Sequence, residues 1–178
     1  DQDDLTANAA DGTCAAAVSW TEPTPSDNCL GATITQTGGA ASGSSFDVGS
    51  HTIEYTATDA ASNTATMSFD IVVSDTQDPT ISDQDDLTAD AADGTCAATV
   101  SWTEPTPSDN CSATVIQTGG AASGSSFDVG THTITYTATD ASSNTATMSF
   151  DIVVSDTQDP SISGLSADLT QSTDAGTC

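Results

Sequence analysis

The residues Asp1-Gln2-Asp3-Asp4-Leu5-Thr6-Ala7 return unchanged as Asp83-Gln84-Asp85-Asp86-Leu87-Thr88-Ala89. A repeat of this length sets the architecture before any single residue is interpreted. Cys14 matches Cys96, Trp20 matches Trp102 and Cys29 matches Cys111 at an offset of 82 residues. The offset then falls to 81, because Leu30-Gly31-Ala32 is one residue longer than Ser112-Ala113. Phe46 matches Phe127, Asp59 matches Asp140 and Pro79 matches Pro160. A third copy opens at Ser161 and runs to Cys178, the counterpart of Cys96. The expected organisation is therefore one domain over 1–79, a second over 80–160 and the beginning of a third over 161–178. The chain opens inside a motif and has no initiator Met, so it is expected to be a window of a longer one.

Within each copy the apolar residues alternate. Ile53, Tyr55 and Ala57 are separated by Glu54 and Thr56; Met67, Phe69, Ile71 and Val73 are separated by residues that include Ser68 and Asp70. Period two with one apolar face is the signature of half-buried strands. Segments near Leu5 and over 15–20, 32–37, 44–46, 51–58 and 64–74 read as strands, and no stretch sustains a helical period. Six or seven short strands per copy predict an all-β chain of immunoglobulin-like antiparallel β-sandwiches arranged end to end.

The charge is one-sided. The chain carries 26 acidic residues, no Lys and no Arg, for a formal charge of −26. Ion pairs with Lys or Arg are ruled out, and self-repulsion opposes compaction. Nucleic acid and anionic membranes are excluded as partners, because both require a basic surface. Only three of the acids are Glu. Asp favours turns and reaches its own backbone, and carboxylates gathered on loops suit a hard cation such as calcium.

Each copy has few large apolar side chains, so a small domain of this kind needs a staple. Cys14 and Cys29 are separated by the same interval as Cys96 and Cys111. The spacing is not that of a zinc site. The cysteines read as one disulfide per domain, Cys14 with Cys29 and Cys96 with Cys111, or else as buried free thiols. A loop of that size would contribute on the order of 3 kcal/mol, and a disulfide places the protein in an oxidising, extracellular compartment, at the cell surface or secreted. Cys178 would pair beyond the chain.

Gly12-Thr13-Cys14, Val18-Ser19-Trp20, Glu22-Pro23, Ser26-Asp27-Asn28-Cys29, Ser42 to Gly49, and Tyr55 to Ala60 with Asn63 resemble a hyalin repeat, the HYR domain; the second copy matches from Cys96 through Asn144. Met67 and Met148 stand where many members carry a further Cys, which favours pairing the two cysteines of a copy with each other. The resemblance implies an immunoglobulin-like sandwich used in tandem on extracellular proteins. The joints are similar to a cadherin's last hairpin and linker, at Ala57-Thr58-Asp59, Phe69 to Val73 and Asp75-Thr76-Gln77-Asp78-Pro79. That likeness implies calcium held between successive domains.

Sandwich topology makes this reading specific. In such a sandwich the loop that Cys29 or Cys111 closes and the turn of the last hairpin, 59–63 or 140–144, lie at the end where the chain enters a domain, here its head; the turn at Asp47 or Asp128 lies at the end where it leaves, its tail. The joint between the copies should then gather Asp47, Asp75 and Asp78 from the first with Asp109, Asn110, Asp140 and Asn144 from the second. Asp27, Asn28, Asp59 and Asn63 are the matching acids and amides at the first head; Asp128, Asp156 and Asp159 match at the second tail. Such oxygen ligands suit Ca2+ better than magnesium, which prefers to keep its waters. Asp3, Asp4, Asp11, Asp70 and Asp90 read as solvating or turn-forming residues.

No arrangement of Ser, His and Asp, or of paired acids, marks a catalytic site, so no enzyme is expected. His51 and His132 read as surface or packing residues. The expected function is a structural repeat of an extracellular stalk or filament, stapled by disulfides and stiffened by calcium at its joints. Its partners are the neighbouring identical repeats of the same chain, with self-association into fibres as a further expectation. The alternative is an adhesin module whose domains bind glycan or protein directly.

Overall fold

The alternation is what builds the strands. In the computed structural model, which describes residues 2–162, the first copy contains β1 (Leu5–Asn8), β2 (Ala15–Ala17), β3 (Thr33–Gly38), β4 (Ser45–Asp47), β5 (Gly49–Thr58) and β6 (Thr64–Ser74). The second contains β7 (Thr80–Ile81), β8 (Leu87–Asp90), β9 (Ala97–Thr99), β10 (Pro107–Ser108), β11 (Ala113–Gly119), β12 (Ser126–Asp128), β13 (Gly130–Asp140) and β14 (Thr145–Ser155). The described residues form no helix. Of the third copy, only Ser161 and Ile162 lie among them; Cys178 lies outside.

Each copy is a sandwich of a four-stranded sheet, ordered β1-β6-β5-β3 or β8-β14-β13-β11, and a two-stranded sheet, β2-β4 or β9-β12. The long hairpins β5-β6 and β13-β14 form the spine. One departure from an all-antiparallel ladder occurs in both: β1 runs parallel to β6, with Leu5 opposite Ile71, and β8 runs parallel to β14, with Leu87 opposite Ile152. Two acids expected only to solvate the chain, Asp4 and Asp70, help pin this edge. The Asp4 carboxylate accepts the Asp70 N–H at 2.8 Å, and Thr52 Oγ1 donates to the Asp70 carboxylate at 2.7 Å. Asp86, Asp151 and Thr133 repeat the arrangement.

The inward faces make two separate cores. Phe46, Ile53, Tyr55, Phe69, Ile71 and Val73 fill the first; Phe127, Ile134, Tyr136, Phe150, Ile152 and Val154 fill the second. Burying one such side chain contributes about 1.5–3 kcal/mol. Trp20 joins the layers, its indole donating to the Tyr55 hydroxyl at 2.8 Å and meeting Phe69 edge-on at 5.5 Å; Trp102, Tyr136 and Phe150 do the same. All eight aromatic residues belong to these cores. His51 packs on Phe46 and donates through Nε2 to the Asp47 carbonyl at 2.7 Å, a packing role that His132 shares.

The second strand was expected over 15–20, but the ladder ends at Ala17. Beyond it the chain is held at two points: Val18 donates to the Ser44 carbonyl and accepts from the Gly43 N–H, and Trp20 donates to Ser42 Oγ, whose hydroxyl donates back to the Trp20 carbonyl. The sequence expectation also lacked β7. Residues 80–81 pair antiparallel with β10, Thr80 opposite Ser108 and Ile81 opposite Pro107. The link between domains is thus zipped onto the segment that leads into Asp109-Asn110-Cys111.

Candidate metal and disulfide joint

Four segments meet where the first tail faces the second head. The tail turn Ala10–Cys14 is closed by the Thr13 N–H and hydroxyl on the Ala10 carbonyl at 3.0 and 3.1 Å. Gly12 sits there at φ 74°, a left-handed position that suits a residue without Cβ. The exit of β6 supplies Asp75, whose Oδ1 accepts the Gln77 N–H at 3.1 Å. The head of the second copy supplies Asp109, whose Oδ2 accepts the Cys111 N–H at 3.0 Å, and the β13-β14 turn.

That last turn is a latch. Asp140 accepts the Asn144 N–H at 2.8 Å on one carboxylate oxygen and the Asn144 amide at 2.7 Å on the other. Ser143 takes a φ of 73°, allowing the chain to fold back. Asp59 and Asn63 form the same latch at the first head, at 2.7 and 2.8 Å. The Asn63 amide foremost, with the backbone N–H groups of Asn63, Ala61 and Ser62, holds the Asp59 carboxyl below its ordinary 3.8.

Across the joint, Asn110 donates its amide to the Thr13 carbonyl at 3.0 Å and to Asp75 Oδ1 at 3.3 Å. Asn144 donates to the Asp75 carbonyl at 3.3 Å. Cys14 and Cys111 form a disulfide, their Cα atoms 4.5 Å apart.

This corrects the expected pairing of Cys14 with Cys29 and of Cys96 with Cys111. Cys29 and Cys96 are exposed free thiols. The reason is geometric. Cys14 opens β2 at the tail, where its carbonyl accepts the Val48 N–H. Cys29 follows Asp27, which lines a depression at the head together with Asp59 and Asn63. The two cysteines of a copy therefore sit at opposite ends of one sandwich, whereas a disulfide needs Cα atoms within about 7 Å. The topology that placed the acids carried this information too, since the start of β2, just after Cys14, pairs with the end of β4, where Ala15 faces Asp47. Thr13 and Cys14 as joint residues follow from it.

Of the expected joint residues, the structure brings together Asp75, Asp109, Asn110, Asp140 and Asn144. Asp75 and Asp140, at 6 % and 7 % exposure, are the buried charged residues among those described. Asp75 Oδ2, Asp109 Oδ1 and Asn110 Oδ1 are buried without a hydrogen-bond partner. A carboxylate oxygen of Asp75, one of Asp109 and Cys111 Sγ lie within 4.8 Å of one another. The sulfur is spent in the disulfide, so the available donors are oxygens, which suit a hard cation.

Asp47 and Asp78 do not join this cluster through any side-chain hydrogen bond. Asp47 shares the tail, paired with Ala15 in the ladder, but alternation turns Phe46 inward and Asp47 to solvent; Asp128 behaves likewise. Asp78 is exposed beside the buried Pro79. At the outer ends Asp27, Asn28 and Asn63 are exposed and Asp59 is half-buried. Asp156 and Asp159 line a depression of about 390 Å³ that also includes Gly94, Cys96 and Gln158.

The family model for the HYR domain matches residues 3–73 and 74–154. Hyalin of Strongylocentrotus purpuratus is 37% identical over 158 residues, spanning 85% of this chain and 13% of that protein. Hyalin of Lytechinus variegatus is 34% identical over 172 residues, spanning 93% of this chain and 32% of that protein. The chain thus spans less than a third of either relative. Among solved structures, the extracellular cadherin domains 1–5 of protocadherin gamma B2 overlap 71% of this chain and 32% of that one, at 12% identity and a TM-score of 0.32.

Proposed function

Since the chain belongs to the HYR domain family, as two tandem copies of an extracellular structural repeat rather than an enzyme, we propose that it is a length element whose joints are locked twice, by a disulfide and by Ca2+. The observation that carries the calcium half is the trio of buried, unpartnered oxygens on Asp75, Asp109 and Asn110. Two carboxylates with oxygens within 4.8 Å of each other repel when both are ionised. The chain has no Lys or Arg to offset this. A buried polar atom left without a partner adds about 1–3 kcal/mol. A divalent cation bound to those oxygens would remove both costs, with Asp140 and Asn144 holding the second head against Asp75.

Uniform copies suit a spacer, because joints of one design repeat at fixed intervals. The adhesin alternative finds no support in the surface, as the aromatic side chains a glycan would stack on are all in the cores.

The test is a thermal melt of the oxidised chain in about 1 mM calcium and in chelator, at fixed ionic strength. At a hundredfold excess over Kd, calcium should add about 2.7 kcal/mol, and Asp75→Asn should abolish the difference while Asp156→Asn keeps it. Equal melting with and without calcium in the unaltered chain would overturn the calcium half of the reading.

A further inference from the structure

The buried oxygens of the joint sit against a pair of sulfurs. Asp75 and Cys14 come from the first copy, Asp109 and Cys111 from the second. We propose that, once the Cys14–Cys111 disulfide is opened, these four side chains form a site for a thiophilic divalent cation of the zinc class. The reduced joint is then clipped by two ligands from each copy, and oxidation leaves only the oxygen donors. The inference shares two carboxylates with the calcium reading, yet it holds whether or not the oxidised joint binds calcium.

Three observations carry it. First, a carboxylate oxygen of Asp75, one of Asp109 and Cys111 Sγ lie within 4.8 Å of one another. Zinc holds thiolate sulfur at about 2.3 Å and carboxylate oxygen at about 2.0–2.2 Å, so small side-chain rotations draw these atoms onto one ion. Cys14 Sγ is bonded to Cys111 Sγ and is adjacent when that bond opens. Second, the carboxylates are already aimed. Asp75 is 6 % exposed, and its Oδ2, like Asp109 Oδ1, is buried without a hydrogen-bond partner. Their other oxygens are occupied, Asp75 Oδ1 by the Gln77 N–H and the Asn110 amide, Asp109 Oδ2 by the Cys111 N–H. Each carboxylate thus has one oxygen left for a single metal bond. Third, the Asn110 amide also donates to Cys111 Sγ at 3.8 Å, and contacts of this kind orient metal ligands. Two sulfurs and two oxygens match the four-coordinate habit of zinc. Within one copy no cysteine spacing gives such a set; it arises only across the joint.

Oxidation expels the ion. With oxidised glutathione as the oxidant, one protein thiolate attacks the glutathione disulfide and releases a glutathione thiolate. The second protein thiolate attacks the resulting mixed disulfide and releases the other. One S–S bond breaks and one forms; two protein thiolates are oxidised and one glutathione disulfide is reduced. The sulfurs no longer carry the negative charge that bound the metal, and the ion leaves.

The experiment uses the full 178-residue chain carrying Cys29→Ser, Cys96→Ser and Cys178→Ser, so that the joint cysteines are its only thiols. It is reduced with a phosphine under argon and titrated with Co2+, then with Zn2+. Near-ultraviolet circular dichroism of Trp20 and Trp102 reports that both copies stay folded. The expected result is one cobalt per monomeric chain, with the intense visible bands of tetrahedral coordination and a thiolate charge-transfer band, both bleached by one equivalent of zinc. Adding Cys14→Ser should halve the charge-transfer band. Asp75→Asn and Asp109→Asn should each weaken zinc binding at least tenfold, while Asp156→Asn leaves it unchanged. Oxidised glutathione should release one zinc for each Cys14–Cys111 bond formed. The weak bands of six-coordinate cobalt, zinc binding untouched by both joint substitutions, or one ion shared between two chains would each overturn the proposal. The unsubstituted joint gives its cobalt spectrum first, so a variant that fails to fold cannot hide the answer. Tetrahedral cobalt here without a calcium response in the oxidised melt would overturn the calcium reading alone; a calcium response there without tetrahedral cobalt here would overturn this inference alone.

Discussion

The two heads have nearly the same sequence and the same local geometry, yet only one is buried. Asp59 and Asn63 close their latch at the distances found for Asp140 and Asn144. Asp27 and Asp109 hold the following cysteine N–H groups identically at 3.0 Å. The difference is what lies above. Asp140 is covered by the first copy and Asp59 is half-open; Asp75 is buried and its counterpart Asp156 is exposed. A joint in this chain is therefore two preformed surfaces brought together, with little local rearrangement needed to close it. Preformed surfaces lose little entropy on docking.

The comparison breaks most visibly at the cysteines. Replacing Cys14 and Cys111 by Ser removes a cross-link spanning a separation of 97 residues. The expected loss is about 4.7 kcal/mol on the chain-entropy argument, read by urea unfolding. The same change at Cys29 and Cys96 should leave the monomer's midpoint unmoved. Next comes a control on the cores. Phe46→Ala and Phe127→Ala should each cost about 3–5 kcal/mol, and equally, because both phenylalanines are buried against the same neighbours. Unequal costs would mean that the copies differ in more than their covering.

A smaller effect separates the latches. Asn63→Ala removes the bond to Asp59, whereas Asn144→Ala removes the bond to Asp140 and the one to the Asp75 carbonyl. The second should cost about 1 kcal/mol more; equal losses would show that the contact across the joint contributes nothing. The smallest effect is electrostatic. The Asp59 carboxyl is held below 3.8 by its hydrogen bonds, so ionised Asp59 favours the folded state above that value. Its contribution fades as the pH falls below 3.8 and is gone once the pH has passed the folded pKa. Asn63→Ala should return the Asp59 titration, followed by carboxyl carbon NMR, towards 3.8.

Much of the fold was legible because alternation reports burial directly. The 64–74 strand was predicted with the bounds that β6 takes, and Phe69, Ile71 and Val73 face inward as their spacing requires. Loop placement was legible for the same reason: topology alone put Asp75 opposite Asp109, Asn110, Asp140 and Asn144. Side-chain direction at a strand end was harder to read. Asp47 reaches the correct end and then points to solvent, because the residue before it fills the core. The cysteine pairing was misread because closeness in sequence was allowed to stand for closeness in space, although a strand running from tail to head separates Cys14 from Cys29. The short pairing of Thr80 and Ile81 with Pro107 and Ser108 left no periodic signal, since two residues cannot show a period.

The central claim is that calcium belongs to the closed joint and not to the open ends. Isothermal calorimetry of calcium binding tests it on two double variants, Asp75→Asn with Asp109→Asn, and Asp156→Asn with Asp27→Asn. Both remove two acids from matched positions, so they change the net charge of −26 equally. The account predicts that the strongest binding disappears in the first variant and persists in the second. Equal weakening in both, or none in either, would contradict it and leave the acids as a diffuse counter-ion surface.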